Sequence, residues 1–331
     1  MSIILAFIIF FIVVLFHEGG HFFAAKSVGI RVNEFSIGMG PAIWKKTKGE
    51  TLYSLRALPL GGYCAMEGED EESASPDSFD AAKPWQRFLT ILAGPVMNLL
   101  IALLCFILYL GMVGEAVPVI DTFTDHSAFQ TAGASVGDRV ISVNDTAVSN
   151  LEELSAVLQQ SGGKTVSVAL EGKDGTHKTV ETTPMQEEGT YILGFQPHRE
   201  RSLLHAVPAG FTMLWKTFIS LFVVLGKLFT GGLSLGAVSG PIGVVKTIGE
   251  AAKQGVAPLI FFAGYISVNL AFFNLLPIPA LDGSKLLFII IEKLRGKPMN
   301  KTWETRITMA GFALLMGLIL LVSVKDVLQL F

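Results

Sequence analysis

Long apolar runs separated by polar segments dominate this chain. Four runs are long enough for a helix that crosses about 30 Å of hydrocarbon, which takes roughly 20 residues: Ser2–Ala25, Phe88–Val113, Ala257–Leu276 and Ile307–Leu328. A fifth run, Val207–Phe229, carries two lysines and many aromatic residues, as helices at membrane interfaces often do. The pattern therefore predicts an α-helical polytopic membrane protein with about four transmembrane helices.

The first apolar run lies where a secretory signal would lie. No Lys or Arg precedes it and no small-residue cleavage site follows it, although both are typical of cleaved signals. Within the run, the motif His17-Glu18-Gly19-Gly20-His21 comes directly after the wholly apolar stretch that ends at Phe16. We therefore expect a retained membrane helix.

The segment Gly114–Arg201 has a different pattern, in which short apolar runs alternate with turn residues such as Gly137-Asp138 and Asn144-Asp145. Such alternation predicts strands, and a longer amphipathic stretch predicts a helix. The expected strands are Arg139–Val143, Thr165–Leu170 and Thr176–Glu181, with a helix at Leu151–Gln160. The segment Gly68–Asp80 is acidic and rich in serine, so we expect it to be a solvated loop.

These patterns divide the chain into four parts. Residues 1–113 and 257–331 form the two halves of a membrane core, and residues 114–201 form an inserted α+β domain. Residues 202–256 form a membrane-associated linker with a helix. The expected fold class is thus a membrane helix bundle with one inserted domain.

Composition and charge agree with a membrane protein. Only 16% of the residues are charged and the net charge is -3, which excludes the clustered basic surface of a nucleic-acid-binding protein. Eight Lys and Arg residues lie in Lys26–Arg87 and six in Lys285–Arg306. Because basic loops stay in the cytoplasm, we expect the N-terminus and the inserted domain to lie outside. With four spans, Val207–Phe229 then lies on or partly in the membrane without crossing it.

The motif His17-Glu18-Gly19-Gly20-His21 predicts a metal site. Two histidines four residues apart project from one helix face, close enough to bind one ion. Zinc accepts imidazole nitrogen, and Glu18 can move protons for water that the metal activates. Such strings also occur by chance. Ionisable groups beside a 15-residue apolar run are costly in lipid, however, and that cost favours a functional metal site.

A third ligand is needed, and Asp282 is the candidate. It follows an apolar run that Pro277 and Pro279 interrupt, and membranes tolerate such breaks mainly at buried or wet sites. A solvated helix end is the alternative interpretation. The expected topology brings Asp282 to the same side as the histidines, and two histidines with one carboxylate form a known catalytic zinc set.

With these residues in place, the sequence resembles the site-2 protease family of intramembrane metalloproteases, in the branch of the bacterial regulator-of-sigma-E proteases. The resemblance covers nearly the whole chain and is specific in the order and spacing of its short motifs. Besides the His-Glu motif these are Phe35–Pro41, Pro59–Tyr63, Ala93–Asn98, Ser239–Gly243 and Asn274–Gly283.

The resemblance implies that His17, His21 and Asp282 bind zinc and that Glu18 is the catalytic acid–base residue. Further residues are implied to contact the substrate: Asn274, Asn269, Gly61 and Gly62. The two asparagines would otherwise serve as polar packing between membrane helices. Leu52–Met66 resembles a membrane-dipping β-hairpin, whose exposed strand can hold an unwound substrate by main-chain hydrogen bonds.

The segment Ala132–Asn144 resembles the core of a PDZ domain, which binds an extended peptide or a chain end beside a strand. A plain spacer domain is the alternative. The inserted segment has room for only one such domain, unlike the tandem-PDZ members of the family.

Three functions remain to be compared. The first is a multi-pass bacterial cell-membrane protease that cuts single-pass membrane proteins already shortened outside, such as anti-sigma factors or remnant signal peptides. The second is a PDZ scaffold with a structural metal, although structural zinc usually has four protein ligands. The third is a transporter with interrupted helices, for which no internal repeat is visible.

Overall fold

The computed structural model describes residues 2–69, 73–125, 127–187, 189–232, 240–297 and 299–328. The chain divides into two compact units, one made of Met1–Tyr109 with Pro208–Phe331 and the other of Leu110–Val207. The division lies within a few residues of the boundaries expected for the inserted domain. Ser239 of the predicted Ser239–Gly243 motif and His126 lie outside the described residues.

Most helices belong to the first unit and most strands to the second. The helices are α1 (Ser2–Ser27), α2 (Pro84–Val113), α3 (Ala128–Thr131), α4 (Leu151–Gln160), α5 (Leu203–Phe229), α6 (Pro241–Gln254), α7 (Val256–Leu275), α8 (Asp282–Arg295) and α9 (Lys301–Leu328). The strands are β1 (Val32–Lys48), β2 (Thr51–Met66), β3 (Glu115–Phe123), β4 (Arg139–Val143), β5 (Thr146–Ala147), β6 (Val166–Glu171), β7 (His177–Thr182), β8 (Met185–Glu187), β9 (Thr190–Ile192) and β10 (Phe195–Glu200).

Five of these helices are long and apolar enough to cross a membrane. Four of them, α1, α2, α7 and α9, contain the four predicted spans, except that α7 ends one residue before the predicted Leu276. The fifth is α5, which also satisfies length and composition. Its rings Phe218 and Phe222 pack edge-on against Phe272 of α7, with centroids 5.6 and 4.8 Å away. That α5 lies in the membrane without crossing it stays a prediction.

Helix α1 contacts strands β1 and β2 and helices α6 and α7 of the first unit. Its early turns bury Ala6, Ile9 and Val13 against Ile248 of α6 and against α7. These three residues recur at intervals of three and four, so they lie on one face of α1, and that face packs against α6 and α7. The later turns of α1 carry the His-Glu motif.

Strands β1 and β2 pair with each other and form an antiparallel hairpin. The segment Leu52–Met66, predicted to be a hairpin by itself, is instead one strand of it, β2, because its pairing partner β1 precedes the predicted segment. Phe35 of β1 is paired with Tyr53 on one side and with Cys64 on the other, so β2 folds back and flanks β1 twice. Among the described residues, the stretch Gly62–Ala65 is paired on one side only. Its other side is a strand edge, with backbone groups free to bind an added strand.

The described part of Gly68–Asp80 is a loop, as predicted, but the expectation that it is solvated is wrong at Ser78 and Phe79. Ser78 and Phe79 are buried, and Phe79 packs with Leu286 and Ile289 of α8. The backbone N–H of Phe79 also donates to the carbonyl of Glu67 at 2.7 Å. The acidic composition of Gly68–Asp80 led to the prediction of a solvated segment, although the apolar side chain of Phe79 anchors it.

The second unit contains a sheet in the order β10-β3-β4-β6-β7, with β5 paired to β4. The three predicted strands and the predicted helix α4 are confirmed. Asn150 begins α4, because its side-chain oxygen accepts from the N–H groups of Glu152 and Glu153 at 3.1 and 2.9 Å. Buried residues of β4 and β6 form part of its core: Val140, Val143, Val168 and Leu170. The likeness to a PDZ domain stays a prediction.

Candidate metal centre

His17 and His21 lie one turn apart on α1 and face the protein interior. Each of these residues is only 6% exposed. Their Nε2 atoms are 3.3 Å apart, and the two rings meet edge to face. The helix period therefore brings two imidazole nitrogens to one point, as the sequence predicts.

Asp282 reaches the same point from the first turn of α8. Its Oδ2 atom lies 3.2 Å from Nε2 of His17 and 3.4 Å from Nε2 of His21. This oxygen is buried and makes no hydrogen bond. The next residue, Gly283, allows the approach, because a Cβ atom there would lie 2.1 Å from the carbonyl oxygen of Leu276 at the end of α7.

The geometry of these three atoms fits a zinc ion. In a tetrahedral site with bonds of about 2.0–2.1 Å, neighbouring ligand atoms are separated by about 3.3 Å. The three observed separations are 3.2, 3.3 and 3.4 Å. No other group of three potential ligands is found in the described ranges. Three protein ligands would leave one of four positions open, as in catalytic zinc sites.

The other ring nitrogens of both histidines contact α2. Nδ1 of His21 lies 2.9 Å from the carbonyl oxygen of Thr90, and Nδ1 of His17 lies 3.2 Å from the side-chain amide of Asn98. The sequence patterns gave neither residue a role, although Asn98 ends the Ala93–Asn98 motif.

Glu18 lies between the histidines in sequence and faces the hairpin. A Cβ atom on Gly62 would lie 3.7 Å from Cγ of Glu18, and one on Gly61 would lie 3.9 Å from Val14. No hydrogen bond or ion pair joins the Glu18 carboxylate to a described residue. The edge stretch of β2 therefore passes beside the Glu18 side chain.

The two asparagines predicted to contact substrate differ in position. Nδ2 of Asn274, near the end of α7, lies 3.5 Å from Nε2 of His17, and the residue is buried. Nδ2 of Asn269 donates to the carbonyl of Tyr265 on its own helix at 2.8 Å. The structure thus brings Asn274 to the histidines and gives Asn269 a local partner instead.

Comparison with known proteins agrees with this site. The profile of Peptidase family M50 matches residues 5–318. A candidate zinc metalloprotease of Clostridium perfringens is 36% identical over 332 residues, covering 99% of both chains. One from Clostridium acetobutylicum is 33% identical, covering 98% of this chain and 97% of the relative. Zinc metalloprotease RasP of Geobacillus kaustophilus is 30% identical over 415 aligned positions, covering 100% of this chain and 98% of the relative.

These similarities extend over both units and include the helices that bring His17, His21 and Asp282 together. They favour the enzyme over the scaffold and the transporter, and they identify zinc as the cofactor. The chain therefore belongs to Peptidase family M50, the site-2 protease family, and is a multi-pass membrane zinc metalloprotease.

Proposed function

We propose that this protease cuts single-pass membrane proteins within or beside the bilayer, with His17, His21 and Asp282 as its zinc ligands. The observation that carries the proposal is the triangle of ligand atoms with sides of 3.2, 3.3 and 3.4 Å. When bound, zinc polarises the scissile carbonyl and lowers the pKa of a water molecule to around 7.

Glu18 is the proton carrier of the proposed reaction. As the oxygen of water bonds to the carbonyl carbon, the Glu18 carboxylate accepts one proton of that water. The carboxylic acid then donates the proton to the departing amide nitrogen as the C–N bond breaks. The absence of a described partner for Glu18 leaves both carboxylate oxygens available for these transfers.

The edge of β2 is the proposed substrate cradle. A helical substrate segment has its carbonyl groups hydrogen-bonded internally, so it must unwind before water can attack. The free edge at Gly62–Ala65 offers replacement main-chain hydrogen bonds. Because Gly61 and Gly62 have no side chains, the added strand can approach Glu18 closely. Asn274 is proposed to contact the substrate backbone beside His17, and Asn269 stays a weaker candidate.

The hairpin also bears apolar side chains that suit contact with lipid. Met39, Ile43, Trp44 and Leu58 are each about half exposed or more, at 49–70%. Exposed aromatic and aliphatic residues on a β-hairpin indicate insertion into a membrane surface. The hairpin is therefore proposed to meet its substrate at the bilayer.

The second unit is proposed to be a single PDZ-like domain outside the cytoplasm that binds an extended peptide or chain end. Its edge strand β10, paired on one side with β3, supports the proposal, because PDZ ligands add to a sheet edge. Anti-sigma factors and remnant signal peptides are the proposed substrate types, both shortened outside before cleavage.

The test is cleavage of a model single-pass membrane protein by the purified full-length chain in detergent. The wild type is compared with Glu18→Gln and with the exposed control Glu187→Gln, which makes the same carboxylate-to-amide change in β8. We expect Glu18→Gln to retain zinc and to lose cleavage, and the control to keep both. Equal cleavage by all three proteins would contradict the role of Glu18.

A further inference from the structure

Asn98 is a fully buried polar residue on α2 to which the proposed reaction gives no role. Its exposed fraction is 0%. Its side chain reaches the outer nitrogen of the His17 ring, with Nδ2 at 3.2 Å from Nδ1. Its other polar atom, Oδ1, is buried and has no hydrogen-bond partner among the described residues. A buried amide oxygen without a partner destabilises the folded protein, so its placement needs a reason.

The chemistry of His17 supplies that reason. A neutral imidazole that binds metal through Nε2 carries its hydrogen on Nδ1, so Nδ1 is a donor. With Nδ2 of Asn98 facing it, two N–H groups point at each other. A half-turn of the Asn98 amide about its Cβ–Cγ bond exchanges the positions of Oδ1 and Nδ2, which are similar in size. Oδ1 then accepts from Nδ1 of His17, and the donor–donor conflict disappears.

His21 follows the same rule with a different acceptor. Its Nδ1 lies 2.9 Å from the carbonyl oxygen of Thr90, which can only accept, so this ring also carries its hydrogen on Nδ1. Thr90 and Asn98 lie four residues before and after Gly94. One face of α2 thus offers one acceptor to each histidine.

The position of Asn98 is itself held in place. Ser267 of α7 donates from Oγ to the carbonyl oxygen of Asn98 at 2.8 Å, and this contact is buried. The bond ties α2 to α7 at the residue whose side chain meets His17. The hydrogen bond from Ser267 therefore fixes the backbone of Asn98, and with it the position of the side-chain amide.

We propose that Asn98 is a positioning residue that accepts from Nδ1 of His17 through Oδ1, so that Nε2 stays unprotonated and aimed at zinc. The inference rests on the proposed role of His17 as a ligand. Partners of this kind orient metal-binding histidines, and their removal typically lowers metal affinity about 10- to 100-fold.

The experiment measures zinc affinity of the full-length protein in detergent, by competition with a chelator. Asn98→Leu keeps the volume but removes the acceptor, and Asn98→Asp keeps an acceptor of the same length. Cys105→Ala, two turns further along α2, is the control. We expect about 10- to 100-fold weaker zinc binding for Asn98→Leu, and values within a few-fold of wild type for Asn98→Asp and the control.

A second readout separates positioning from folding. Each protein is also loaded with cobalt(II), whose visible absorption reports tetrahedral coordination, and its Tm is recorded. Asn98→Ala replaces Asn98→Leu if the larger side chain lowers the Tm. We expect the leucine or alanine variant to have altered cobalt absorption and the aspartate variant to restore it.

Two results would overturn the inference. One is wild-type zinc affinity in Asn98→Leu, and the other is an equal loss in Asn98→Leu and Asn98→Asp, which would indicate packing alone. His17→Ala distinguishes failure of the proposed ligand set. If His17→Ala binds zinc as tightly as wild type, the ligand set is wrong; if it loses zinc while Asn98→Leu does not, only the role of Asn98 is wrong.

Discussion

Gly94 of α2 lies directly beneath the His21 ring of α1: a Cβ atom on Gly94 would stand 2.3 Å from Nε2 of His21. The same atom would stand 2.9 Å from Cε1 of His17. One turn of α2 must therefore lack side chains for both imidazoles to occupy their positions in the proposed metal site. On the opposite helix, a Cβ atom on Gly20 would lie 2.3 Å from the carbonyl oxygen of Ala93, so the two backbones are nearly in contact.

The two adjacent glycines of the His-Glu motif provide a matched test of this crossing. A methyl group on Gly20 collides with the backbone of α2, whereas one on Gly19 meets only Phe23, at 3.9 Å. Overpacking of this kind typically costs about 1–3 kcal/mol. We expect Gly20→Ala to lower both the Tm and the bound zinc, and Gly19→Ala to leave both near wild type.

Zinc content and Tm of the two purified variants check this prediction. If both alanine variants bind zinc equally well, the helices do not cross at Gly20.

Much of the fold follows from the sequence because apolar length and turn chemistry are local signals. The spans of α1, α2, α7 and α9 are set by runs of apolar residues, and α4 begins at Asn150, a strong N-cap residue. Helix α6 was not predicted separately from its linker, because its start depends on a distant residue. Asp326 of α9 accepts from the N–H groups of Gly240 and Gly243.

Part of the candidate metal site could also be predicted from the sequence. The spacing of His17 and His21 places them on one helix face whatever surrounds them. The proximity of Asp282 needed a topology argument, and the contacts of Thr90 and Asn98 depend on how α1 and α2 cross. The two helices cross where Gly20 and Gly94 allow close packing. A single sequence does not show that these two glycines lie near each other.

Gly62 tests the proposed substrate cradle. A Cβ atom there would lie 2.6 Å from the carbonyl oxygen of Ser36, so Gly62→Ala should displace the edge of β2 from Glu18. We expect at least a tenfold loss of cleavage, about 1.4 kcal/mol in the barrier, with zinc content unchanged. Cleavage at the wild-type rate would contradict the cradle.

Asp326 tests the anchoring of α6. Its oxygens accept from backbone N–H groups at 3.3 and 2.9 Å where the helix begins, and the residue is only 7% exposed. Removing a carboxylate at a helix N-terminus costs about 1–2 kcal/mol. We expect Asp326→Asn to lower the Tm, and the exposed control Asp145→Asn to leave it unchanged.

The Tm of the wild type and of both variants is measured in one detergent at one pH, and the three values are compared. Equal Tm values for Asp326→Asn and wild type would indicate that α6 is held by its apolar contacts alone.

Cys64 tests the packing of β2 against α1. Burial raises the pKa of the Cys64 thiol above its ordinary value, and the residue is 8% exposed. Only the thiolate reacts readily, so a higher pKa means less reactive sulfur at neutral pH. In a Cys105→Ala background, we expect Cys64 to react slowly with maleimide near neutral pH until the protein is denatured. Fast labelling of the folded protein would place the thiol at the surface.

The central claim is that His17, His21 and Asp282 hold one zinc ion, and zinc K-edge X-ray absorption of the purified protein tests it most directly. We expect one zinc per chain with only nitrogen and oxygen neighbours at about 2.0–2.1 Å, including two imidazoles. Asp282→Asn should weaken zinc binding by more than the roughly 10- to 100-fold typical of outer partners. A sulfur neighbour at about 2.3 Å, or an unchanged spectrum and affinity in Asp282→Asn, would contradict the account.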